Sequence, residues 1–352
     1  MIKLPGLIDP HVHVREPGQT HKEDWATATQ AALAGGITTI LGMPNTKPPV
    51  FDEATLNFSL DSAKQKAYCD YGQYLGAGPD NADIVAGLAH KAAGLKMYLD
   101  STFGELRLDD MSLWTPHFQK FPKDFPMVMH SESRTMAAAI LFSAIYDHPI
   151  HIAHVSLKEE ILLIKAAKEK GIKVTCEVCP HHLFMVSEVS DEQRGKKKEG
   201  RKEVRPRLAT QADVNALWEN LDVIDCFATD HAPHTVEEKD SDNPPPGFPG
   251  LETILPLLLT DSRITIPDII QKMHTNPRKI LNLPEQPETW IEIDENETYE
   301  IKAENQFTKC GWTPFEGWKV RGKVKKVVLR GKTAFEDGKF LVEEGYGKDV
   351  RV

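Results

Sequence analysis

The chain has 352 residues, enough for one large barrel with a small accessory layer or for two medium domains. Its hydrophobic content of 40% and charged content of 27% are ordinary for a globular protein. No run approaches the ~18 apolar residues that a membrane helix needs. The formal net charge of −10 argues against a general nucleic-acid binder, although a few local Arg, His and backbone groups could still bind an anionic substrate.

The five cysteines are too few and too scattered for a disulfide framework, so we expect a reducing, cytoplasmic compartment. Cys176 and Cys179 form a CxxC pair, but the sequence offers no second pair to complete a structural zinc site. The N-terminus, MIKLPGLIDPHVH, has no signal-peptide architecture. This segment predicts a strand that begins within the first few residues, as in a domain taken from a longer chain.

Short apolar runs alternate along the chain with amphipathic helical segments, examples of which are 22–35, 156–170 and 210–220. This alternation predicts parallel strands joined by crossovers. Eight such strands favour a closed barrel over a doubly wound open sheet, since no glycine-rich phosphate turn follows the first strand. The expected strands lie at about 5–13, 38–43, 71–76, 94–99, 126–130, 149–154, 173–178 and 222–229.

The pattern changes after residue 290, where polar and apolar residues alternate with a period of two between turn residues. This alternation predicts antiparallel strands. We therefore predict an α/β protein with a (β/α)8 TIM-like barrel over residues 1–290. A small β-rich side domain, formed mainly by the C-terminal segment, is expected over residues 291–352. The charge-dense stretch 190–204 and the proline-rich stretch 240–250 are predicted to be loops.

Residues able to bind a metal ion follow several of the predicted strands. His11 and His13 end the first strand, where the period of two points both side chains to the same side. His130, His154 and Asp230 end the fifth, sixth and eighth strands. Active sites of such barrels lie at these strand ends, and imidazoles and carboxylates are good ligands for zinc and similar ions. The combined set predicts a metal site more strongly than the HxH pair alone.

Lys96 lies on the fourth predicted strand. An ammonium group there would repel a metal ion, but burial disfavours the charged form of a lysine. The neutral amine can add carbon dioxide and become a carbamate, which is an anionic oxygen ligand able to bridge two metal ions. The alternative is a structural lysine whose stem packs in the barrel and whose ammonium group reaches a carboxylate.

Seven segments carry a resemblance to a known family: GLIDPHVHVREPG, GMPNTKPP, LKMYLDSTF, CEVCPHHL, ATDHAPHT, PPPGFPGLET and WTPFEG. In this order they resemble the dihydroorotase branch of the amidohydrolase superfamily, and most of all its animal-type members. These members are domains of a multifunctional pyrimidine-biosynthesis protein. The matching segments span residues 4 to 317, and the similarity continues to the C-terminus.

The resemblance implies two zinc ions per chain, bridged by a hydroxide and by a CO2-derived carbamate on Lys96. It implies that one zinc is held by His11, His13, Lys96 and Asp230, and the second by Lys96, His130 and His154. Asp230 would also be the catalytic acid and base. The implied substrate-binding residues are Arg15, Asn45, Arg205 and His234, with the backbone of Pro246 and Gly247 lining the site. Thr102 and Phe103 would lie on a flexible loop over the substrate.

Arg15 and Glu177 each allow a second interpretation. The planar guanidinium of Arg15 suits a carboxylate, but a structural salt bridge to Glu16 or Asp24 is the alternative. Glu177 can contribute an extra metal position in animal-type members. The family often has a cysteine just before the sixth-strand histidine, whereas this chain has Ala153, which argues against a third zinc. Glu177 could instead hydrogen-bond a ligand histidine.

The activity implied by the resemblance is the reversible cyclisation of N-carbamoyl-L-aspartate to L-dihydroorotate in de novo pyrimidine biosynthesis. The implied partners are a second copy in a homodimer, and carbamoyl-phosphate synthetase and aspartate transcarbamoylase by fusion or assembly; no nucleic acid or membrane is expected. One alternative is another cyclic amidohydrolase, such as a dihydropyrimidinase, hydantoinase or allantoinase. The other is a catalytically inactive scaffold. Arg15 with Asn45 favours a carboxylated substrate, and the complete set of six ligands favours an active enzyme.

Overall fold

The computed structural model of the chain describes residues 1–102, 104–188 and 200–351. Phe103 and most of the charge-dense stretch 190–204 therefore lie outside the described residues. The described strands are β1 (Ile2–Pro5), β2 (Leu7–Val12), β3 (Ile37–Gly42), β4 (Asp70–Gln73), β5 (Leu75–Gly76), β6 (Leu95–Tyr98), β7 (Met127–His130), β8 (Ile150–Ile152), β9 (Val174–Val178), β10 (Cys226–Phe227), β11 (Trp290–Glu300), β12 (Lys319–Leu329), β13 (Lys332–Glu336) and β14 (Lys339–Phe340).

Strands β2 to β10 form a closed parallel barrel. Strands β2, β3 and β4 pair in one sheet, and β5 to β10 pair in chain order in a second sheet. The chain passes from β4 to β5 through Tyr74, whose N–H donates to the carbonyl of Gly42 at 2.9 Å. The ring closes where Val12 pairs with His231 and the His13 N–H donates to the His231 carbonyl at 2.7 Å. Since β4 and β5 occupy one position, the barrel has the eight strand positions that were predicted, and this fold class is confirmed.

Helices between the strands pack on the barrel, and several begin at capping boxes that the sequence encodes. Asp24 accepts from the backbone N–H of Thr27 at 2.9 Å, while the Thr27 hydroxyl caps the backbone of Asp24. No described helix has the length and apolar character needed to cross a bilayer. The helices are α1 (Trp25–Ala34), α2 (Glu53–Lys66), α3 (Ala82–Leu88), α4 (Trp114–Lys120), α5 (Ser133–Tyr146), α6 (Lys158–Glu169), α7 (Pro180–Phe184), α8 (Gln211–Glu219), α9 (Val236–Lys239), α10 (Ile254–Thr260), α11 (Ile266–Ile270) and α12 (Asn276–Ile280).

A separate sheet outside the barrel is antiparallel and has the order β1-β11-β12-β13-β14. The strands predicted after residue 290 are therefore present, and the N-terminal β1 joins them, with Leu4 opposite Ile291. The predicted first strand is divided at Gly6, where a Cβ atom would lie 2.3 Å from Thr38 Oγ1. One continuous apolar core joins this sheet to the barrel. The boundary at residue 290 stays a prediction.

Two predicted strands are shorter in the structure than the apolar runs indicated. The sixth barrel strand ends at Ile152 and the eighth at Phe227, although their predictions extended to 154 and 229. His154 and Asp230, which lie two and three residues beyond these strand ends, adopt φ angles of 39° and 46° in the left-handed region, so the extended backbone does not continue through them. Apolar patterning detected the strands but could not detect this change of backbone direction.

The C-terminal segment returns to the barrel after β14. The Val350 N–H donates to the carbonyl of Tyr71 at 2.9 Å, which places the segment beside β4. Arg351 then donates to four backbone carbonyls, at distances of 2.6 to 3.0 Å from Ala92, Ala93, Leu281 and Asn282. One guanidinium group thus ties the C-terminal segment to two separate loops of the barrel.

The variant Arg351→Met should lower the free energy of unfolding by about 2 kcal/mol, because partly buried carbonyl groups lose a charged donor. Urea denaturation monitored by circular dichroism measures this loss. Arg321→Met is the matched control, since Arg321 is exposed and the one hydrogen bond of its guanidinium among the described residues is a 3.5 Å contact with the carbonyl of Glu295. Equal stability of the two variants would contradict the anchoring role of Arg351.

Candidate active site

Strands β2 and β10 bring three potential metal ligands together at the carboxyl end of the barrel. His11 lies in β2, His13 follows it, and Asp230 comes three residues after β10. The Nε2 atoms of His11 and His13 lie 3.3 and 3.1 Å from Oδ1 of Asp230. All three side chains are buried, and their ligand atoms lie within 4.8 Å of one another. A small movement would allow them to share one divalent cation.

The other three predicted ligands adjoin this group. The ring of His154 lies 5.3 Å from that of His11 and 4.6 Å from that of His130, measured between centroids. Nδ1 of His130 and Nε2 of His154 are 2.8 Å apart. Lys96 is fully buried on β6, and its charge interacts with both His130 and His154. The structure therefore places all six residues in one buried cluster.

Three atoms of this cluster are buried without a hydrogen-bond partner among the described residues: Nζ of Lys96, Nε2 of His130 and Nδ1 of His154. Each unpartnered buried polar atom lowers the free energy of unfolding by roughly 1–3 kcal/mol. Three of them together indicate that a bound group completes the site. Burial lowers the pKa of Lys96 to about 8, which increases the share of neutral amine. The alternative in which Lys96 reaches a carboxylate is not observed, since Nζ has no partner in the described chain. The residues fit a pair of divalent cations with a carbamate on Lys96.

Neighbouring polar groups set the protonation of the first two histidines. Oδ1 of Asn45 lies 2.7 Å from Nδ1 of His13. One carboxylate oxygen of Glu177 contacts Nδ1 of His11, and the other lies 3.2 Å from Nε2 of His151. Both acceptors can hold a proton on Nδ1, and Nε2 of each ring lies on the side of Asp230. Both oxygens of Glu177 are thus engaged in orienting histidines.

Asp230 is held in its charged form. Burial opposes ionisation of this carboxyl, but the adjacent His11 and His13 outweigh burial and hold its pKa well below the usual value. The backbone at Asp230 is supported by Asp9, which accepts from the backbone N–H groups of Thr229 at 3.2 Å and His11 at 3.1 Å. Asp9 therefore ties the ends of the first and last barrel strands together beneath the cluster.

Sequence reasoning missed two of these supporting residues, Asp9 and His151. Asp9 could have been noticed, because it is a charged residue inside an otherwise apolar strand just before His11. His151 carried no such signal, since its partner Glu177 lies on the neighbouring strand β9, far along the chain. The contact depends on the register between β8 and β9, which the sequence alone does not specify.

A narrow cavity opens against the cluster. Its lining includes every predicted substrate-binding residue except His234, together with Thr102 of the predicted flexible loop; Phe103 lies outside the described residues. Gly247, at a φ angle of 143°, allows the close approach of Ala232, whose carbonyl oxygen a Cβ atom would meet at 2.4 Å. The lining residues are His13, Arg15, Asn45, Thr102, Arg205, Asp230, Ala232, Pro246 and Gly247.

Arg15 is the buried cation of this cavity. Its Nε donates to the carbonyl of Pro233 at 3.1 Å, and burial lowers its pKa to about 10, so it stays charged at neutral pH. The two carboxylates of the alternative interpretation pair with lysines: Glu16 with Lys66 at 2.5 Å, and Asp24 with Lys309 at 3.2 Å. Arg15 has a φ angle of 66°, an unusual conformation that it shares with His154 and Asp230.

Several known proteins are similar to this chain in sequence. The profile of the amidohydrolase family matches residues 2–84. The multifunctional protein CAD of Squalus acanthias is 55% identical, and the aligned region covers all of this chain and 16% of that protein. A dihydroorotase of Pyrococcus abyssi is 37% identical, with 98% of this chain and 88% of that protein covered. The chain belongs to the dihydroorotase family.

This dihydroorotase-family chain also resembles solved structures. An inactive dihydroorotase-like domain of a CAD-like multifunctional protein from Chaetomium thermophilum has a TM-score of 0.83 and 28% identity, with 99% of this chain and 98% of that chain covered. The fold therefore occurs in a domain described as inactive. Activity must be argued from the side chains at the site.

Glu177→Gln should weaken binding of a divalent cation such as zinc by about ten- to a hundredfold, because the amide no longer provides two acceptors to orient His11 and His151. Competition with a chelator of known affinity measures the change. Glu252→Gln is the control, because Glu252 accepts from the backbone of Phe307 and Thr308 in a separate part of the fold. Zinc affinity that is the same in both variants would show that Glu177 does not support the cluster.

Proposed function

We propose that this chain is a zinc-dependent dihydroorotase that interconverts N-carbamoyl-L-aspartate and L-dihydroorotate in de novo pyrimidine biosynthesis. One observation carries the proposal: a buried cluster of six potential metal ligands adjoins a cavity that contains the buried cation Arg15. The charge of Arg15 beside the cluster suits a small ring that bears a carboxylate, and Asp230 belongs to both the cluster and the cavity wall.

The proposed zinc ligands are His11, His13, Lys96 as its carbamate, His130, His154 and Asp230. When bound, a pair of such ions acidifies water and polarises the attacked amide carbonyl. Two zinc ions per chain are proposed. Glu177 uses both oxygens on histidines, and the neighbouring Ala153 offers no thiol, so neither supports a third ion.

Asp230 is the proposed acid and base. Its carboxylate lines the substrate cavity and is charged, so it can accept a proton from the attacking water and deliver it to the ring nitrogen that leaves the carbonyl. In the direction of synthesis, the same oxygen takes the proton from the ureido nitrogen as the ring closes. Ring closure takes up one proton overall, because two substrate carboxylates become one.

The carboxylate that remains on the ring is assigned to Arg15. A guanidinium group pairs with a carboxylate through two parallel hydrogen bonds and gains strength in a dry cavity. Asn45 and the backbone at Pro246 and Gly247 lie around the same space. Arg205 lines the cavity as well, although its Nη1 is also paired with Glu203, and we assign it the assisting role. Thr102 is assigned to a loop that closes over the ring.

The fusion partners, oligomeric state, compartment and domain boundary of the chain are also proposals. The chain corresponds to 16% of the multifunctional Squalus acanthias relative, which supports a fusion with other pyrimidine enzymes, namely carbamoyl-phosphate synthetase and aspartate transcarbamoylase. A homodimer in the cytoplasm, and a barrel that ends near residue 290 followed by a β-rich accessory domain, complete the proposal.

The function is tested by combining a zinc determination with assays on two rings. We expect about two zinc ions per chain and turnover of dihydroorotate that exceeds turnover of dihydrouracil, because the uncharged ring offers Arg15 no carboxylate to bind. Preference for dihydrouracil would favour a dihydropyrimidinase. Zinc content near zero, with neither ring opened after zinc and bicarbonate are supplied, would favour an inactive scaffold.

Lys96→Ala should lose zinc and activity together while its circular dichroism stays that of a folded protein. Adding acetate or propionate should restore part of the zinc content, since a small carboxylate can replace the anionic oxygen ligand in the space that the side chain vacates. Exchange with 13C-bicarbonate should label one carbamate carbon in the wild type and none in the variant. Full zinc content in Lys96→Ala would refute the carbamate bridge.

A further inference from the structure

Lys22 lies in the loop between β2 and α1, and its side chain is only 4% exposed. Its Nζ is 3.1 Å from Nδ1 of His234 and 3.0 Å from Oε1 of Glu238. On the opposite edge of the imidazole, Nε2 lies 3.0 Å from the carbonyl oxygen of Pro246 and 3.1 Å from Nη2 of Arg15. His234 therefore connects Lys22 to the cation of the substrate cavity.

Two of these contacts favour the tautomer of His234 that carries its proton on Nε2, whereas the 3.1 Å contact with Nη2 of Arg15, which can only donate, favours the other. A lysine ammonium can only donate, so Nδ1 must accept from Lys22. A carbonyl oxygen can only accept, so Nε2 must donate to Pro246. The two contacts are independent, and both require the neutral imidazole with its proton on Nε2. Burial, together with the charge of Arg15, lowers the pKa of His234 to about 3, so the ring is neutral at neutral pH.

Glu238 favours the other tautomer of His234, in which Nδ1 carries the proton. Its Oε2 lies 3.5 Å from Nδ1 of His234 and could accept a proton placed there. Lys22 is closer to Nδ1, and its ion pair with Glu238 draws that carboxylate towards the ammonium. The same ion pair keeps Lys22 charged against its burial. Without the ammonium, Glu238 would become the acceptor for an Nδ1 proton, and the tautomer would reverse.

The tautomer determines what Arg15 can do. With the proton on Nε2, His234 cannot accept a hydrogen bond from Nη2 of Arg15, although the two nitrogens are 3.1 Å apart. His234, which does not line the cavity, then offers Arg15 no acceptor. With the proton on Nδ1, Arg15 would donate to the imidazole. The lone pair of Nε2 would then face the carbonyl oxygen of Pro246, which is repulsive.

We propose that Lys22 is a positioning residue: it holds His234 as an Nε2–H donor and so keeps the Arg15 guanidinium directed to the carboxylate of the substrate. This inference rests on the proposed function for the identity of that carboxylate. The described lining of the cavity does not include Lys22, so its effect on substrate binding passes through His234. Lys22 thereby contributes to the selection of carboxylated rings over uncharged ones.

The tautomer can be measured directly by 15N–1H NMR of the zinc-containing protein labelled at histidine, with His234→Gln used to assign the signals. The wild type should carry the proton on Nε2. Lys22→Met keeps the apolar stem and removes the ammonium, so the proton should move to Nδ1. Lys22→Arg keeps a donor and should preserve the wild-type state. A wild-type proton on Nδ1, or an unchanged tautomer in Lys22→Met, would overturn the proposal.

Kinetics give a second readout. Lys22→Met should raise the KM for dihydroorotate about tenfold, with little change in kcat or zinc content, because a contact to the substrate carboxylate is weakened and the metal cluster is not. Lys309→Met is the matched control, since Lys309 pairs with Asp24 at 3.2 Å in the same region. The control should keep the wild-type constants. A fall in kcat and zinc content without a rise in KM would indicate a structural role for Lys22 and would overturn the proposal.

The two readouts separate this inference from the proposed function. A wild type that fails to open dihydroorotate but shows the expected change of tautomer in Lys22→Met would remove the function and leave the role of Lys22 in orienting His234 intact. Turnover of dihydroorotate together with an unchanged tautomer would remove the role of Lys22 alone. The wild-type tautomer is informative even where Lys22→Met does not fold.

Discussion

The burial of Lys96 among imidazoles is the constraint on which the rest of this site depends. A buried amine with no hydrogen-bond partner among the described residues is costly inside a barrel, so a bound group is expected to complete the site. The same burial that lowers its pKa to about 8 makes the neutral amine accessible. His130 and His154 adjoin it, each with one ring nitrogen that has no hydrogen-bond partner in the described part of the chain, which indicates a bound group at the cluster.

The residues around this cluster act by fixing protons. Asn45 and Glu177 accept from Nδ1 of His13 and of His11. For His234, Lys22 donates to Nδ1 and the carbonyl of Pro246 accepts from Nε2 on the opposite edge of the ring. Glu177, Lys22 and Pro246 each have a single hydrogen-bonding character, whereas Asn45 presents its amide oxygen to His13.

Much of this arrangement could be predicted, because it depends on local patterns. Alternating strands and helices indicated the barrel, and the positions of His11, His13, His130, His154 and Asp230 after strands indicated one shared site, since the carboxyl ends of parallel strands meet at one face. The structure corrects the extent of two strands, which end before the left-handed φ angles at His154 and Asp230. Such angles arise from packing around the site and leave no mark in apolar periodicity.

By itself, the sequence determined the fold class and the set of chemical groups at the site, because strand periodicity and residue type are properties of single segments. Only the tertiary structure decided how those groups pair. Asp9 of β2 accepts from the backbone just after β10, and His151 of β8 contacts Glu177 of the neighbouring strand β9. Lys22 contacts His234, which is more than two hundred residues away in the chain. These contacts depend on strand register, barrel closure and loop packing, which are set by the whole chain and not by any one segment.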